Sequence, residues 1–388
     1  MSLKIIINKT HLLLGLSSGL LVFILAVTGA TLVFQSELED ATQPYRFVEG
    51  QDKPLLPPST LLNIAQKELP GKMLHSIGYE KYRAVNVSFY HEDPDYWYDA
   101  FLNPYTGEVL KVKDSYWDFF GFMYGGHYRL WLPLPIGKPI ASTATLIFIV
   151  MLITGLIQWW PKKNNVNQRF KIKWSARWRR KNYDLHYVVG FYVSIIGLFI
   201  ALTGSVMGFE WFDKTYSLAI TGGKSNHIWS IPTSDEKTMS DSINVYANID
   251  KVWRNLLTQY PEANKVEVHV PEDGIMAIEA SANKYENSNW RADVLWYDQY
   301  TLKEIPVKHP WRKLNELSNA EKFRRMNYEM HTGILFGLPG KLILFFSSLI
   351  IASLPVTGFM IWWGRRNKDD KREITEETGQ ASTAIMSN

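Results

Sequence analysis

The sequence contains no cysteine. Without thiols the chain cannot form disulfides, hold an iron–sulfur cluster through thiolates or attach a c-type haem covalently. It also lacks a glycine-rich dinucleotide motif at a strand–helix junction, so no NAD or flavin site is expected. Its formal net charge of +4 over 388 residues is too small to indicate nucleic acid binding. Non-covalent cofactors and protein-binding functions stay open.

Charged side chains are absent from four long apolar runs, Leu12–Phe34, Pro139–Trp160, Tyr187–Phe209 and Leu342–Trp363. A helix needs roughly 20 such residues to cross a hydrocarbon layer about 30 Å thick. The sequence therefore predicts a mixed membrane protein with a bundle of four transmembrane helices.

The first run could instead belong to a cleaved signal peptide, since Lys4 and Lys9 resemble the basic start of such a segment. The run is longer than the apolar part of a usual signal peptide, and a matching segment inside the chain begins at His186. We therefore expect the first helix to be retained.

Basic residues dominate the segment between the second and third runs, where Asp184 is the only acid. A short loop rich in Lys and Arg is typical of the cytoplasmic side of a membrane. Lys4 and Lys9 before the first run, and Arg365 and Arg366 after the last, fit the same side. Both termini are therefore expected in the cytoplasm, and the two long segments between runs are expected outside.

Two motifs occur twice along the chain at identical spacing. The first places a glycine four residues after a histidine and a Thr-Gly pair near the end of the run, in His11–Gly29 and again in His186–Gly204. The second is a Thr-Gly pair followed by two tryptophans, in Thr154–Trp160 and Thr357–Trp363. The chain is therefore interpreted as a tandem duplication, whose halves should be related by a pseudo-twofold axis along the membrane normal.

Each outer segment reads as a small α+β module. The first is predicted to contain a helix capped by Ser59 and three strands, at residues 59–69, 84–90, 97–102 and 108–111. The second is predicted to contain a helix and three strands, at residues 245–259, 265–270, 275–281 and 294–297.

The predicted organisation follows from these runs and modules. Transmembrane helices are expected at 1–37, 136–161, 185–212 and 337–364, extracytoplasmic modules at 38–135 and 213–336, a basic cytoplasmic loop at 162–184 and a disordered cytoplasmic tail at 365–388.

A histidine accompanies each apolar run. His11 and His186 precede runs that leave the cytoplasm, whereas His127 and His331 precede runs that enter from outside. At about 1.5 Å per helical residue the two levels are roughly 20–30 Å apart, so one ligand sphere cannot contain both. We therefore expect His11 to pair with His186, and His127 with His331.

Two imidazoles alone make a poor zinc site, and no nearby carboxylate completes a non-haem iron site. They do satisfy the two axial positions of a b-type haem. Gly15 and Gly190, one turn after their histidines, would leave room for a porphyrin, although small residues also serve helix packing. The alternative for each histidine is an interfacial side chain with no ligand.

Haem propionates need cationic partners, and Arg129 and Arg324 lie near the outer histidines. They are candidates for an outer haem, with lipid headgroups as the alternative partner. Further histidines of the outer segments are expected at the surface: His75, His91, His227, His269 and His309.

Together these motifs resemble those of the PepSY-associated transmembrane family, also called iron-regulated membrane proteins, and in particular its bacterial inner-membrane ferric-siderophore reductases. The resemblance extends over about residues 5–366 and includes Gly-Lys pairs ending at Lys138 and Lys341 and the turn Asn103–Gly107. The second module departs at Leu302, where the family turn has glycine, and is interpreted as degenerate.

The resemblance implies two extracytoplasmic PepSY-like modules and two non-covalent haem b groups. The axial ligands would be His11 with His186 and His127 with His331. It also implies the reduction of ferric complexes on the outer side of a bacterial inner membrane.

Two functions follow. The first is a transmembrane electron-transfer protein, in effect a haem-dependent ferric-siderophore reductase. It would take electrons from an unidentified cytoplasmic or membrane donor and reduce a ferric siderophore or another ferric chelate. The second is a membrane-anchored binding or regulatory protein whose outer modules bind a peptidase or another extracytoplasmic partner. Transport of iron complexes is a weaker third interpretation, because the apolar runs contain no acid or base to line a polar pathway.

Overall fold

The computed structural model describes residues 2–92, 94–160, 169–223, 230–239, 244–286 and 288–386, with side chains up to Arg366. Two compact units make up the chain. The first contains Met1–Ala30, Gly126–Phe209 and Leu342–Asn388, and the second contains Thr31–Gly125 and Glu210–Lys341. Residues 162–168 of the predicted cytoplasmic loop lie outside the described part.

Helices and strands alternate in blocks along the chain. The helices are α1 (Leu3–Leu32), α2 (Gln35–Thr42), α3 (Pro58–Glu68), α4 (Phe119–Arg129), α5 (Leu134–Trp159), α6 (Trp178–Asp184), α7 (Gly190–Gly208), α8 (Glu210–Thr221), α9 (Val245–Gln259), α10 (Asn319–Arg325), α11 (Asn327–Thr332) and α12 (Gly337–Met386). The strands are β1 (Leu74–Glu80), β2 (Val85–Glu92), β3 (Asp95–Leu102), β4 (Val109–Asp114), β5 (Lys265–His269), β6 (Ile278–Asn283) and β7 (Asp293–Tyr297).

Four helical segments are long and apolar enough to cross a membrane, which confirms the predicted number of spans. They are Leu3–Leu32, Leu134–Trp159, Trp178–Gly208 and Ile334–Arg366. Many of their large apolar side chains point outward, as Leu13 and Ile195 do with 69% and 72% of their surface exposed. Lipid is the environment that suits such an apolar exterior.

Inside the first unit the spans meet around a small apolar core. Val22 of α1, Val193 of α7 and Ile351 of α12 are buried together. Glycine allows close approach there, since a Cβ on Gly197 would lie 3.3 Å from Cδ1 of Ile351. In lipid, where helices gain little from hiding apolar surface, this close packing is what holds neighbouring spans together.

The last helix, α12, continues to Met386 and so runs through the segment predicted to be a disordered tail. The tail sequence after Trp363 is rich in Lys, Arg and Glu, which are good helix formers. Adding residues to an existing helix is easier than starting a new one, so the transmembrane part provides the nucleus.

The second unit is built on one antiparallel sheet with strand order β4-β3-β2-β1-β5-β6-β7. The sequence predicts two separate modules, but β5 pairs with β1 along the whole length of β5, from Ser76 opposite His269 to Glu80 opposite Lys265. The pairing satisfies the edges that two small sheets would otherwise expose. One module lies on each side of this junction, with β1 to β4 on one side and β5 to β7 on the other.

Helices α3 and α9 cover the apolar face of this sheet. Leu61 and Leu62 of α3 and Ile249 and Leu256 of α9 are fully buried in a core that both modules share. The predicted cap of α3 is wrong, because the helix begins at Pro58 and Ser59 forms no cap. The backbone N–H and the hydroxyl of Ser59 donate instead to the buried carboxylate of Asp250 on α9, at 2.8 and 2.7 Å.

A similar turn closes the β3–β4 connection and follows β7. Gly107 N–H donates to the carbonyl of Asn103, and Leu302 N–H donates to that of Asp298, both at 2.9 Å. Gly107 has φ +74° and Leu302 has φ +58°. The replacement of glycine at Leu302 therefore keeps the turn, at the cost of a left-handed backbone that a side chain disfavours.

Candidate functional site

The imidazoles of His11 and His186 lie close together in the first unit. Their ring centroids are 6.5 Å apart and the ring planes meet at 78°. His11 lies on α1, and His186 lies in the π-helical turn Leu185–Val189 at the start of the third span. The structure thus brings together the two histidines that depth alone had paired.

A threonine of the neighbouring span holds the His11 ring. Nδ1 of His11 lies 2.9 Å from Oγ1 of Thr154 on α5. That hydroxyl already donates its proton to the carbonyls of Val150 and Met151, at 2.9 and 3.1 Å. A hydroxyl has one proton, so a Thr154 hydroxyl that donates to either carbonyl accepts from Nδ1 of His11. In that arrangement Nε2 of His11 carries the lone pair.

His186 has the same arrangement on α12. Its Nδ1 lies 2.9 Å from Oγ1 of Thr357, whose proton goes to the carbonyls of Ser353 and Leu354, both at 3.0 Å. A Thr357 hydroxyl that donates to either carbonyl likewise accepts from Nδ1 of His186. In this arrangement Nε2 of each ring is the atom available to a metal ion.

Glycines let the two rings lie directly against the adjacent helices. A Cβ on Gly155 would lie 3.3 Å from Cε1 of His11, and one on Gly358 would lie 3.1 Å from Cε1 of His186. These contacts are tighter than a side chain normally accepts. Each Thr-Gly pair therefore supplies an acceptor for the ring and space for its edge.

The spacing of the His11 and His186 rings matches that of two imidazoles bound to one haem iron. A metal–imidazole bond is about 2 Å long, and with the ring centre roughly 1 Å farther, two imidazoles on opposite sides of one metal have centroids about 6 Å apart. The separation of His11 and His186 agrees with this value. No group of three His, Asp or Glu side chains within the described residues could hold a bare metal ion. The pair therefore fits a cofactor that brings its own equatorial ligands.

His127 also belongs to the first unit and rests on α1. Its Nδ1 lies 2.8 Å from the carbonyl oxygen of Leu25, which can only accept, so Nδ1 donates. Burial lowers the pKa of His127, which favours the neutral ring. His331 lies on α11 in the second unit, so the pairing of His127 with His331 stays a prediction.

The two glycines expected to make room for a porphyrin contact side chains instead. A Cβ on Gly15 would lie 3.2 Å from Cε of Met151, and one on Gly190 would lie 3.6 Å from Cδ2 of Leu354. Both positions therefore serve packing between spans, and their role beside a cofactor stays a prediction.

The candidate arginines differ in their surroundings. Arg324 forms a two-pronged ion pair with Asp213, at 3.1 and 2.5 Å, inside the second unit. Arg129 ends α4, and its backbone carbonyl lies where a Cβ of Gly137 would be. A propionate at Arg324 would have to share or replace Asp213, whose carboxylate occupies the guanidinium. For both arginines the binding of propionate stays a prediction.

Among the histidines expected at the surface of the outer segments, His75, His269 and His309 pack against other aromatic rings. His75 and His269 pack on the sheet with ring centroids 4.9 Å apart, and burial lowers the pKa of His269 to about 4. His309 is buried beside Trp296 rather than exposed, because a Trp side chain and a turn enclose it. His227 lies outside the described residues.

Sequence reasoning found the histidines but assigned no role to Thr154 or Thr357. Both threonines belong to the repeated Thr-Gly pairs, so the sequence did mark them. The spacing of these pairs does not show which neighbouring helix they contact. Asn182 was also missed: it is buried one turn before His186, and its Nδ2 donates to the carbonyl of Thr357 at 3.1 Å.

Comparison with known proteins places these residues in a family context. No curated protein matches the chain. The family model described as the PepSY-associated TM region matches residues 8–365, nearly the whole length and all four candidate histidines. The chain therefore belongs to the PepSY-associated transmembrane region family.

Proposed function

We propose that this protein is a multi-pass electron-transfer protein of a bacterial inner membrane, with both termini in the cytoplasm. It would carry two haem b groups and reduce ferric iron in siderophore complexes on the outer side. The observation that carries the proposal is the His11–His186 pair, with centroids 6.5 Å apart and Nδ1 of each ring hydrogen-bonded to a threonine hydroxyl.

The residues of the first unit suit this task in three ways. Thr154 and Thr357 orient the rings, and Gly155 and Gly358 leave space for the ring edges against the neighbouring helices. Within a lipid bilayer the surrounding apolar spans would keep water away from the rings. His11 and His186 would hold the haem, which would supply one-electron redox chemistry that the side chains holding it do not provide.

A second haem on His127 and His331 is part of the proposal and rests on the sequence and on the family resemblance. Nδ1 of His127 donates to Leu25, as a ligating imidazole with Nε2 as its metal-binding atom would. Reduction of ferric to ferrous iron weakens its binding to hard oxygen ligands, so reduction would release iron from a siderophore.

The test is the absorption spectrum of the purified full-length protein, oxidised and after dithionite. We expect a low-spin b-type spectrum in which His11→Ala and His186→Ala each remove about one haem per chain. His75→Ala, on the sheet of the second unit, is the matched control and should retain both haems. A colourless wild-type protein, or one whose spectrum ignores both ligand variants, contradicts the proposal. A colourless protein that co-purifies with a peptidase would favour the binding function instead.

A second experiment addresses the reaction. Protein in vesicles with an internal reductant should reduce an external ferric trihydroxamate chelate only when haem is loaded. A rate equal to that of empty vesicles contradicts the reductase activity while leaving haem binding intact.

A further inference from the structure

Three histidines of the first unit rest on Thr-Gly pairs of a neighbouring helix in a common way. The pairs are Thr154-Gly155 for His11, Thr357-Gly358 for His186 and Thr28-Gly29 for His127. In each case the glycine faces Cε1 of the ring. The repeated Thr-Gly motif is thus an imidazole support.

The two inner histidines share one kind of partner. His11 and His186 each have a threonine hydroxyl as a close partner of Nδ1. His127 bonds the backbone carbonyl of Leu25 with its Nδ1. The threonine hydroxyls are therefore the side chains through which the sequence can act on the two inner rings.

We propose that Thr154 and Thr357 are positioning residues, which fix His11 and His186 as Nδ1–H tautomers before any cofactor binds. The hydroxyls work through the histidines, because an accepted Nδ1 proton leaves Nε2 as the lone-pair atom and makes it more basic. The expected effects on haem affinity and midpoint potential rest on the proposed function. The expected tautomer of the two histidines does not depend on haem binding.

The two supports are unequal. Asn182 donates to the carbonyl of Thr357 and so ties the start of the third span to the helix that holds His186. The residue at the same distance before His11 is Ile7, which has no polar group to donate. His186 is therefore the more firmly fixed ligand, and Asn182→Ile should weaken its support while Ile7→Val leaves that of His11 unchanged.

The first test uses nitrogen NMR of the full-length protein in detergent, labelled with ¹⁵N-histidine and prepared without haem. His11 and His186 should give the Nδ1–H pattern, with each signal assigned by its His→Gln variant.

Thr154→Val and Thr357→Val should each move only its own histidine toward the other tautomer, and the corresponding Ser variants should restore it. Thr145→Val on α5 is the control, because Thr145 donates to Ala141 in the same way without supporting a ring. An Nε2–H pattern in the wild-type protein overturns the proposal even if a Val variant does not fold.

The second test measures haem affinity and midpoint potential. Outer-shell partners of this kind typically change ligand affinity by about 10- to 100-fold, so each Val variant should lose at least about tenfold and Ser should recover it. A tenfold change in the ferric-to-ferrous binding ratio corresponds to about 59 mV for one electron, and the potential should rise because a less basic imidazole favours ferric iron less. Asn182→Ile should show a smaller loss than Thr357→Val.

The outcomes separate the two proposals. A wild-type protein with Nδ1–H histidines that takes no haem contradicts the proposed function and leaves the positioning role standing. A protein that binds haem equally well, at the same potential, with Thr or Val at both positions contradicts the positioning role and leaves the function standing.

Discussion

The backbone of Gly29 lies directly against the imidazole of His127, since a Cβ on Gly29 would stand 2.7 Å from Cε1 of the ring. The ring cannot easily withdraw, because its Nδ1 donates to the carbonyl of Leu25 on the same helix. A side chain at position 29 must therefore displace His127 or push α1 away.

We expect Gly29→Ala to destabilise the detergent-solubilised protein by about 1–3 kcal/mol, the usual cost of overpacking. Thermal unfolding followed by circular dichroism measures the effect. Gly190→Ala is the matched control, because its Cβ would lie at an ordinary 3.6 Å from the flexible end of Leu354. Equal midpoints for the two variants would contradict the tight contact at Gly29.

The turn at Gly107 gives a second prediction, about the sheet unit. Gly107 has φ +74°, and a Cβ there would lie 2.7 Å from Cδ1 of Ile64. Gly71 has φ +77° with no atom within 4 Å of a Cβ. Gly71→Ala should therefore cost only the backbone strain, about 1–2 kcal/mol, and Gly107→Ala should cost more because a clash is added. Hydrogen exchange of β3 and β4 reports the loss locally, and a larger effect at Gly71 would reverse the argument.

Local pattern was enough to predict several elements of this fold. The four uncharged runs predicted the spans, and the helix expected at 245–259 is α9 with the same bounds. Strand β1 was missed because a bulge between Leu74 and Ser76 breaks its alternation and Gly78 weakens it further. Without β1, the join of the modules through β1 and β5 could not be foreseen.

In the candidate site, too, the sequence predicted one part and missed another. Depth along a helix paired His11 with His186, because the rise per residue is fixed by geometry. Which side chains hydrogen-bond the two imidazoles depends on how the neighbouring helices pack against them, and a single sequence does not show that packing. Thr154 and Thr357 lie 143 and 171 residues from their histidines, so no local pattern links them. Similarly, Ser59 looked like a cap but bonds Asp250 in the other module.

Asp250 provides a third prediction, about the contact between α3 and α9. Its buried carboxylate accepts from the N–H and the hydroxyl of Ser59. Asp250→Ala leaves a partly buried N–H without its acceptor and should cost about 1–3 kcal/mol, whereas Ser59→Ala removes only the hydroxyl bond and should cost about 1 kcal/mol.

A double-mutant cycle tests this coupling between Ser59 and Asp250. Residues in direct contact typically show interaction energies of about 0.5–3 kcal/mol, so the two losses should not add. Asp52→Ala, at an exposed position, serves as the control and should leave the unfolding midpoint unchanged. Strict additivity of the Ser59 and Asp250 variants would mean that the contact contributes nothing to stability.

The fourth prediction concerns Glu279 on β6 and the dependence of stability on pH. Burial, together with the nearby negative charge of Glu267, raises the pKa of Glu279 to about 7. The folded protein therefore binds more protons here than the unfolded chain between about pH 4.5 and 7, and stability falls as pH rises through this window. The penalty is fully present above pH 7. One pKa unit corresponds to about 1.4 kcal/mol, so the rise from 4.5 to about 7 sets an upper limit of roughly 3.5 kcal/mol on the penalty. Glu279→Gln, which has the same shape without the charge, should raise the unfolding midpoint at pH 8 but hardly at pH 5.

Glu49→Gln, at an exposed position, is the control and should show no such difference between the two pH values. An equal response of the two variants at pH 8 would show that Glu279 is ionised in the folded protein at no cost.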